Sequence, residues 1–244
     1  MLGTTHRLAE GKSGHMRRTA FAATCASALA VAYGARWCVR SSTWGAAADE
    51  IARTMPGDEL LADADIVTTR AITIDTGADA IWPWLVQLGP GRGGAYTYDW
   101  IENLLGLDMH SADQILPQFQ KLKVGDGFAL GKSGPRMRAA TVERERALVF
   151  ASDDGHWVWA FGLYPAGKST RLVSRNRIGL TGASDLTRRF YRYVMESASL
   201  VMERKMLYGI KRRAEQPAFR PGVATGPVRR PITPRRRVSR SARD

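Results

Sequence analysis

The stretch LDMHSADQ gathers Asp108, His110, Ser111 and Asp113 within six residues. Imidazole titrates near neutral pH, so a histidine among carboxylates can serve as the base for an enolisation or a dehydration. The same residues also have a purely local reading: Ser111 suits the N-cap of a helix beginning at Ala112, with Asp113 in its first turn. A metal held by Asp108, His110 and Asp113 is the poorest of the three readings, because one histidine among acids is a weak ligand pattern. The sequence asks for neither a metal nor a cofactor.

Just upstream runs GRGGAYTYDWIEN, residues 91–103. Asp99 and Glu102 can be an acid and a base, but three residues apart they also imitate a capping box, with Gly106 placed where the helix would end. The glycines beside Arg92 suggest a phosphate cradle. No Lys-Ser/Thr follows them, and the pattern comes after a helix instead of between a strand and a helix, so neither nucleotide fingerprint fits. A tight turn is the better account, bringing Tyr96, Tyr98 and Trp100 to the open end of a cavity, where aromatic rings with polar tips are at home. The alternative is that these rings cap the core.

Two more sets come from alternation. In HWVWAFGLY, Trp157, Trp159, Phe161 and Leu163 alternate with His156, Val158, Ala160 and Gly162, which makes one face of a strand an aromatic wall able to grip flat apolar molecules by area. In TRLVSRNRI, Arg171, Arg175 and Arg177 share one face and Leu172, Ser174, Asn176 and Ile178 the other. The arginines fit a solvent face paired with acids. Were that face the inner one, Arg175, joined by Arg138, would suit a ligand carboxylate or enolate. The catalytic candidates are therefore His110, Asp99 and Arg175, and the ligand-binding candidates are Tyr96, Tyr98, Trp100, Arg138, Trp157 and Trp159.

The elements that must position these residues follow from pattern. Residues 44–61 read as a short helix broken by Pro56-Gly57. The β-branched run 66–74 reads as a strand, and 78–88 as a helix, with Pro83 tolerable in its first turn. A second short helix covers 99–105. Beyond Lys123 come five short strands, 128–130, 136–143, 147–152, 156–164 and 170–178, joined by turn sequences into an antiparallel meander. Ser184-Asp185 then opens a helix to about Ala214, with Leu186, Phe190, Val194, Ser197, Val201 and Tyr208 expected on its buried face. So long a helix, closing a run of antiparallel strands, must lie across a curved sheet.

That order, with the motifs TMPGDELL, VTTRAITI, IWPWLVQLGPGRGG, TRLVSRNRI and VMERKMLYGIKRRAE, resembles an actinobacterial-type branch of the START-like, or SRPBCC, superfamily over residues 44–214. This superfamily includes the polyketide cyclase/dehydrase group and lipid-transfer domains. The resemblance implies an α+β helix-grip fold and a cavity between sheet and long helix that takes an apolar or amphipathic molecule. It implies no catalytic residues, because the superfamily shares no single set. Six strands are visible where the fold usually has seven, so 89–123 must hide or replace one.

The formal charge of +13 is unevenly placed. Residues 1–40 carry six Lys/Arg against one acid and 211–244 carry eleven against two, leaving 19 basic and 20 acidic residues between. The middle is close to neutral, which speaks against nucleic acid as its partner. The uncharged, alanine-rich run 19–35 lies between Arg17-Arg18 and Arg36-Trp37, at the lower length limit of a membrane span. A signal peptide cleaved near Ala46-Ala47-Ala48 is its rival, with a poorly formed cleavage region. Cys25 and Cys38 would sit about 20 Å apart on a helix, which excludes a disulfide in that conformation. The proline- and arginine-rich tail offers no apolar period, and its basic residues suit anionic lipid or RNA if they bind anything.

The expected organisation is thus a basic segment (1–18), a single-pass plasma-membrane anchor (19–40), a connecting helix and linker (41–64), a START-like domain (65–214), leaning to the cytoplasmic side, and a disordered basic tail (215–244). The expected function is binding of a lipid or polyketide-like molecule. A cyclase/dehydratase-type enzyme, and nucleic-acid or anionic-membrane binding through the tails, are the alternatives. Oligomeric state is left open.

Overall fold

A computed structural model of the protein describes residue 34 and residues 40–131 and 134–216. The expected basic segment 1–18, nearly all of the expected anchor at 19–40, both cysteines and the tail from 217 lie outside the described residues. Among those described, no helix is long and apolar enough to cross a membrane.

Six strands form one antiparallel sheet: β1 (Ile66–Ile74), β2 (Gly127–Ala129), β3 (Arg136–Glu143), β4 (Ala147–Ser152), β5 (Trp157–Ala166) and β6 (Ser169–Ile178). Their spatial order is β1-β6-β5-β4-β3-β2, so the first strand closes against the last and the meander runs outward from there. Between β1 and β2 lie α2 (Ala78–Val86) and α3 (Asp99–Leu104); a short α1 (Ala48–Ala52) precedes the sheet. Between Gly89 and Lys123, besides α3, there is a lone Gly89–Gly94 bridge and a 3₁₀ turn at Pro117–Phe119, so no seventh strand is hidden there. Pro83 sits inside α2, past its first turn.

After Ser184, whose hydroxyl accepts from the Thr187 N–H at 3.2 Å, α4 (Asp185–Phe190), a π-helical turn (Tyr191–Met195) and α5 (Glu196–Ala214) follow without a break. This is the long helix of a helix-grip fold. Met206, Leu207 and Ile210 of α5 pack with Ile81 and Leu85 of α2 onto Ile72, Phe150, Phe161 and Leu172 of the sheet. Each such fully buried side chain contributes about 1.5–3 kcal/mol.

The buried stripe of this helix is not the expected one. Leu186, Phe190, Val194, Val201 and Tyr208 are all exposed, between 46% and 78%. The helix carries two apolar stripes, and a polar contact chooses between them: Glu203 must face the sheet to meet Arg70, which carries Met206, Leu207 and Ile210 inward with it. The π turn then adds a residue upstream and rotates α4 relative to α5.

The other face of the sheet is covered as well. Met55 and Leu61 pack on Ala71, Val149, Val158, Ala160 and Val173. Gly45 passes so close to β1 that a Cβ would lie 2.2 Å from the Ala71 carbonyl oxygen, and the Ala71 N–H donates to Trp44 O at 3.1 Å. The stretch 41–64, expected as a connector, forms a third layer.

Candidate functional site

Between the inner face of the sheet and the long helix lies a hollow of about 480 Å³, lined among others by Thr68, Trp157, Leu180, Tyr191 and Met195. It adjoins a smaller one of about 130 Å³ lined by Thr97, Glu102, Trp159, Met202, Glu203 and Met206, the two sharing Trp157, Asn176 and Ser199. The π turn supplies Tyr191 and Met195 to the wall. Two other hollows exist. One of about 670 Å³ opens around Arg53, Arg146, Tyr164 and Lys168 at the β5–β6 turn, and it contains none of the candidate residues. The other, of about 230 Å³, is bordered by Tyr96, Asp99, Ser111, Lys205 and Arg213.

Strand alternation puts Trp157 at the border of both hollows and Trp159 at the smaller one. Trp157 and Trp159 stack with centroids 6.0 Å apart and planes 20° from parallel. Their indole N–H groups donate across to β6, Trp157 to Asn176 Oδ1 at 2.9 Å and Trp159 to Ser174 Oγ at 3.1 Å. With the N–H groups satisfied from below, the ring faces are left for apolar contact.

A buried ion cluster braces helix against sheet. Arg70, wholly buried in β1, donates to Glu196 at 2.6 Å, to Ser199 Oγ at 2.9 Å, to the Ser41 carbonyl at 2.9 Å, and in a short contact to Glu203. Glu203 also accepts from the Ser174 hydroxyl and, at 3.3 Å, from Asn176. Burial pushes the Glu196 carboxyl above its ordinary range, against the pull of Arg70 and with the help of the Glu203 charge. Sequence reasoning missed this cluster. Its signals were an arginine in the middle of the apolar run VTTRAITI, and Ser174 and Asn176 on the face opposite the arginines of β6.

Glu102 of α3 is different. It is 7% exposed, and its Oε2 has no hydrogen-bond partner among the described residues. Burial pushes this carboxyl up, against the pull of the neighbouring Thr97 hydroxyl and with the help of the nearby Asp99 charge. The Thr97 Oγ1 is itself buried and unpartnered. Glu102 and Thr97 line the smaller hollow beside Trp157 and Trp159.

The remaining candidates fall elsewhere. Tyr96 belongs to the core: 2% exposed, its hydroxyl donates to the Trp84 carbonyl at 2.9 Å, and the Arg213 guanidinium lies over its ring. Tyr98 is half-buried beneath Lys205, and Trp100 points outward at 69% exposure. The loop therefore reaches the hollow through Ala95, Thr97 and Glu102 and not through its large rings. Asp99 makes no capping box. Tyr98 holds the cap position, and Asp99 accepts from the N–H and hydroxyl of Ser111 at 2.7 and 2.6 Å. Ser111 in turn caps no helix: it accepts from the Tyr96 N–H at 2.9 Å and ties the two halves of the loop together. His110 is 77% exposed and touches Asp108 at 3.2 Å.

Arg138, at the surface, holds Asp153 with two hydrogen bonds. Arg175 faces the N-terminal layer and not the hollow. All five of its N–H donors are occupied, by Thr69 Oγ1, Asp58 and the carbonyls of Glu50, Ile51 and Arg53. The glycine-rich turn serves close packing: a Cβ on Gly94, at φ +71°, would come within 2.8 Å of the His110 carbonyl, and Ala112 N–H donates to Gly93 O at 3.0 Å. Arg92 lies over the Phe119 ring and donates to Val86 O at 2.8 Å. Among the described residues, no group of three or more His, Cys, Asp or Glu is placed to hold a metal ion.

No family model and no curated protein matches the sequence. Solved structures with similar architecture include the KanY protein in solution, 12% identical with a TM-score of 0.42, matched over 62% of this chain and 98% of that one. A Polyketide_cyc-like protein from Corynebacterium glutamicum is 14% identical with a TM-score of 0.34, over 65% and 92%. An AHSA1-like protein from Aeromonas hydrophila is 18% identical with a TM-score of 0.32, over 61% and 92%. With identities and TM-scores this low, fold, ligand and activity are all argued from this chain's own residues.

Proposed function

We propose that the protein binds a hydrophobic or amphipathic small molecule, lipid or polyketide-like, in the hollow between sheet and long helix. The observation that carries this reading is the indole pair on β5: Trp157 lines both a space of about 480 Å³, a size suited to a small organic ligand, and the smaller one beside it, Trp159 lines the smaller one, and both N–H groups are satisfied. A polar brace at Arg70 and Glu203 holds the walls apart where apolar side chains would otherwise close them. Tethering to the plasma membrane by the run at 19–35, with the domain on the cytoplasmic side, completes the proposal. The exposed apolar residues Leu186, Phe190, Val194 and Val201 support it, because a membrane surface would cover them. The cyclase/dehydratase alternative finds no base in the hollow among His110, Asp99 and Arg175, none of which lines it.

The test is native mass spectrometry of the full chain purified from its host's membranes. A bound lipid or polycyclic molecule that disappears in Trp157→Ala is expected. An empty protein that also takes up no member of a panel of fatty acids and polycyclic aromatics would overturn the reading.

A further inference from the structure

The smaller hollow, lined also by Trp157 and Trp159, has two buried polar atoms on its lining residues without partners among the described residues, Glu102 Oε2 and Thr97 Oγ1. A buried polar atom left unpaired costs on the order of 1–3 kcal/mol, so two in one small space call for a common partner. The carboxylate and the indole N–H groups beside them are committed. Glu203 is taken by Arg70, Ser174 and Asn176, and both indole N–H groups by Asn176 and Ser174. What the pair lacks is one donor for a carboxyl oxygen and one group to meet a hydroxyl. A ligand hydroxyl satisfies both, since it donates through its hydrogen and accepts through its lone pairs.

We propose that Glu102 and Thr97 form a subsite for the hydroxyl of a flat, otherwise apolar ligand, whose ring system lies on Trp157 and Trp159 and extends into the larger hollow. This deepens the proposed function and rests on it. The hydroxyl donates to Glu102 and accepts from Thr97, while Met202 and Met206 close over the ring. The subsite favours an alcohol or phenol over its methyl ether, because the ether cannot donate and leaves Glu102 Oε2 unpaired. A carboxylate ligand is disfavoured, because no Lys or Arg is among the described residues lining the smaller hollow and Glu203 is.

The probes are 2-naphthol and 2-methoxynaphthalene, titrated against the full chain and followed by quenching of tryptophan fluorescence. The wild-type protein is expected to bind 2-naphthol about tenfold more tightly. Glu102→Leu should abolish that preference while keeping affinity for the ether, and Thr97→Val should reduce it with little effect on folding, as checked by circular dichroism. Equal affinity of the wild type for both probes overturns the hydroxyl subsite and leaves the cavity reading standing. So does a preference that survives both substitutions in folded protein. Failure to bind either probe overturns this inference, and the cavity reading falls with it only if the wider panel of fatty acids and polycyclic aromatics also goes unbound.

Discussion

Glu50 and Glu102 are the same residue type at nearly the same exposure, 6% and 7%, on opposite sides of one sheet. Glu50, in the N-terminal layer, is fully engaged: Arg171 donates to both of its oxygens, at 2.7 and 2.9 Å, and the Ala47 N–H adds a third bond at 2.8 Å. Burial alone would raise its pKa, but the Arg171 hydrogen bond, the Ala47 N–H and the positive charges of Arg171 and Arg53 together hold it below the ordinary value. Glu102 has no such partners, and burial carries its pKa upward. One face of the sheet uses buried charge to fasten a layer down; the other keeps a carboxyl uncommitted beside an open space. The proposed site is set apart by a buried carboxyl that its neighbours leave unpaired.

The largest test of that contrast is Arg175→Leu. It takes the Arg175 donors from the Thr69 hydroxyl, three carbonyls and Asp58, which keeps the Met55 N–H and Arg177, and should cost about 3–5 kcal/mol in urea denaturation at neutral pH. Ligand uptake in whatever protein remains folded should be unchanged, because Arg175 does not line the hollow. A small stability loss joined to a binding defect would mean that the two faces are not as separate as they look.

Glu50→Gln should cost less, about 1–3 kcal/mol at neutral pH, and the cost should depend on pH. Because the folded-state pKa is depressed, the stabilisation is present above the unfolded value near 4.5 and is lost as pH falls through the folded value. Melting curves of wild type and variant should converge in acid. Glu102→Gln should behave in the opposite sense. The folded pKa is raised, so the wild-type contribution is complete below about 4.5 and declines as pH rises through the folded value. Relative to wild type the variant should therefore gain, by about 1 kcal/mol, between acid and neutral pH. A gap that moves the other way would show that Glu102 has a partner after all.

How much of this was legible in the sequence depended on the range of the contact. Strand alternation is local, so β1, β3 and β4 could be bounded from VTTRAITI, RMRAATVE and ALVFAS, and the indole floor follows from HWVWAFGL. The face of the long helix was misjudged, because Glu203 and Arg70 are 133 residues apart and only their meeting selects the buried stripe. Arg175 was misplaced for the same reason: alternation gives its neighbours on the strand but not which layer covers them. The aromatic letters of GAYTYDWIEN drew attention to Tyr96, Tyr98 and Trp100, whereas the loop turns Thr97 and Glu102 inward. The positive φ of 59° at Tyr96 is part of that turn, and nothing in the residue types announces it.

The smallest expected effect belongs to the residue with the most suggestive chemistry. His110→Ala removes a side chain that is 77% exposed and whose hydrogen bond, at 3.2 Å, goes to an equally exposed Asp108. Surface substitutions of this kind usually fall within about 0.5 kcal/mol, and the binding of 2-naphthol should not change. The backbone here matters more than the imidazole, since the His110 carbonyl is what Gly94 passes at close range. Gly94→Ala should therefore disturb the loop while His110→Ala does not. Should His110→Ala weaken binding tenfold in a protein that melts like wild type, residues 108–113 would belong to the ligand site. The contrast between an engaged and an uncommitted carboxyl would then have been drawn around the wrong group.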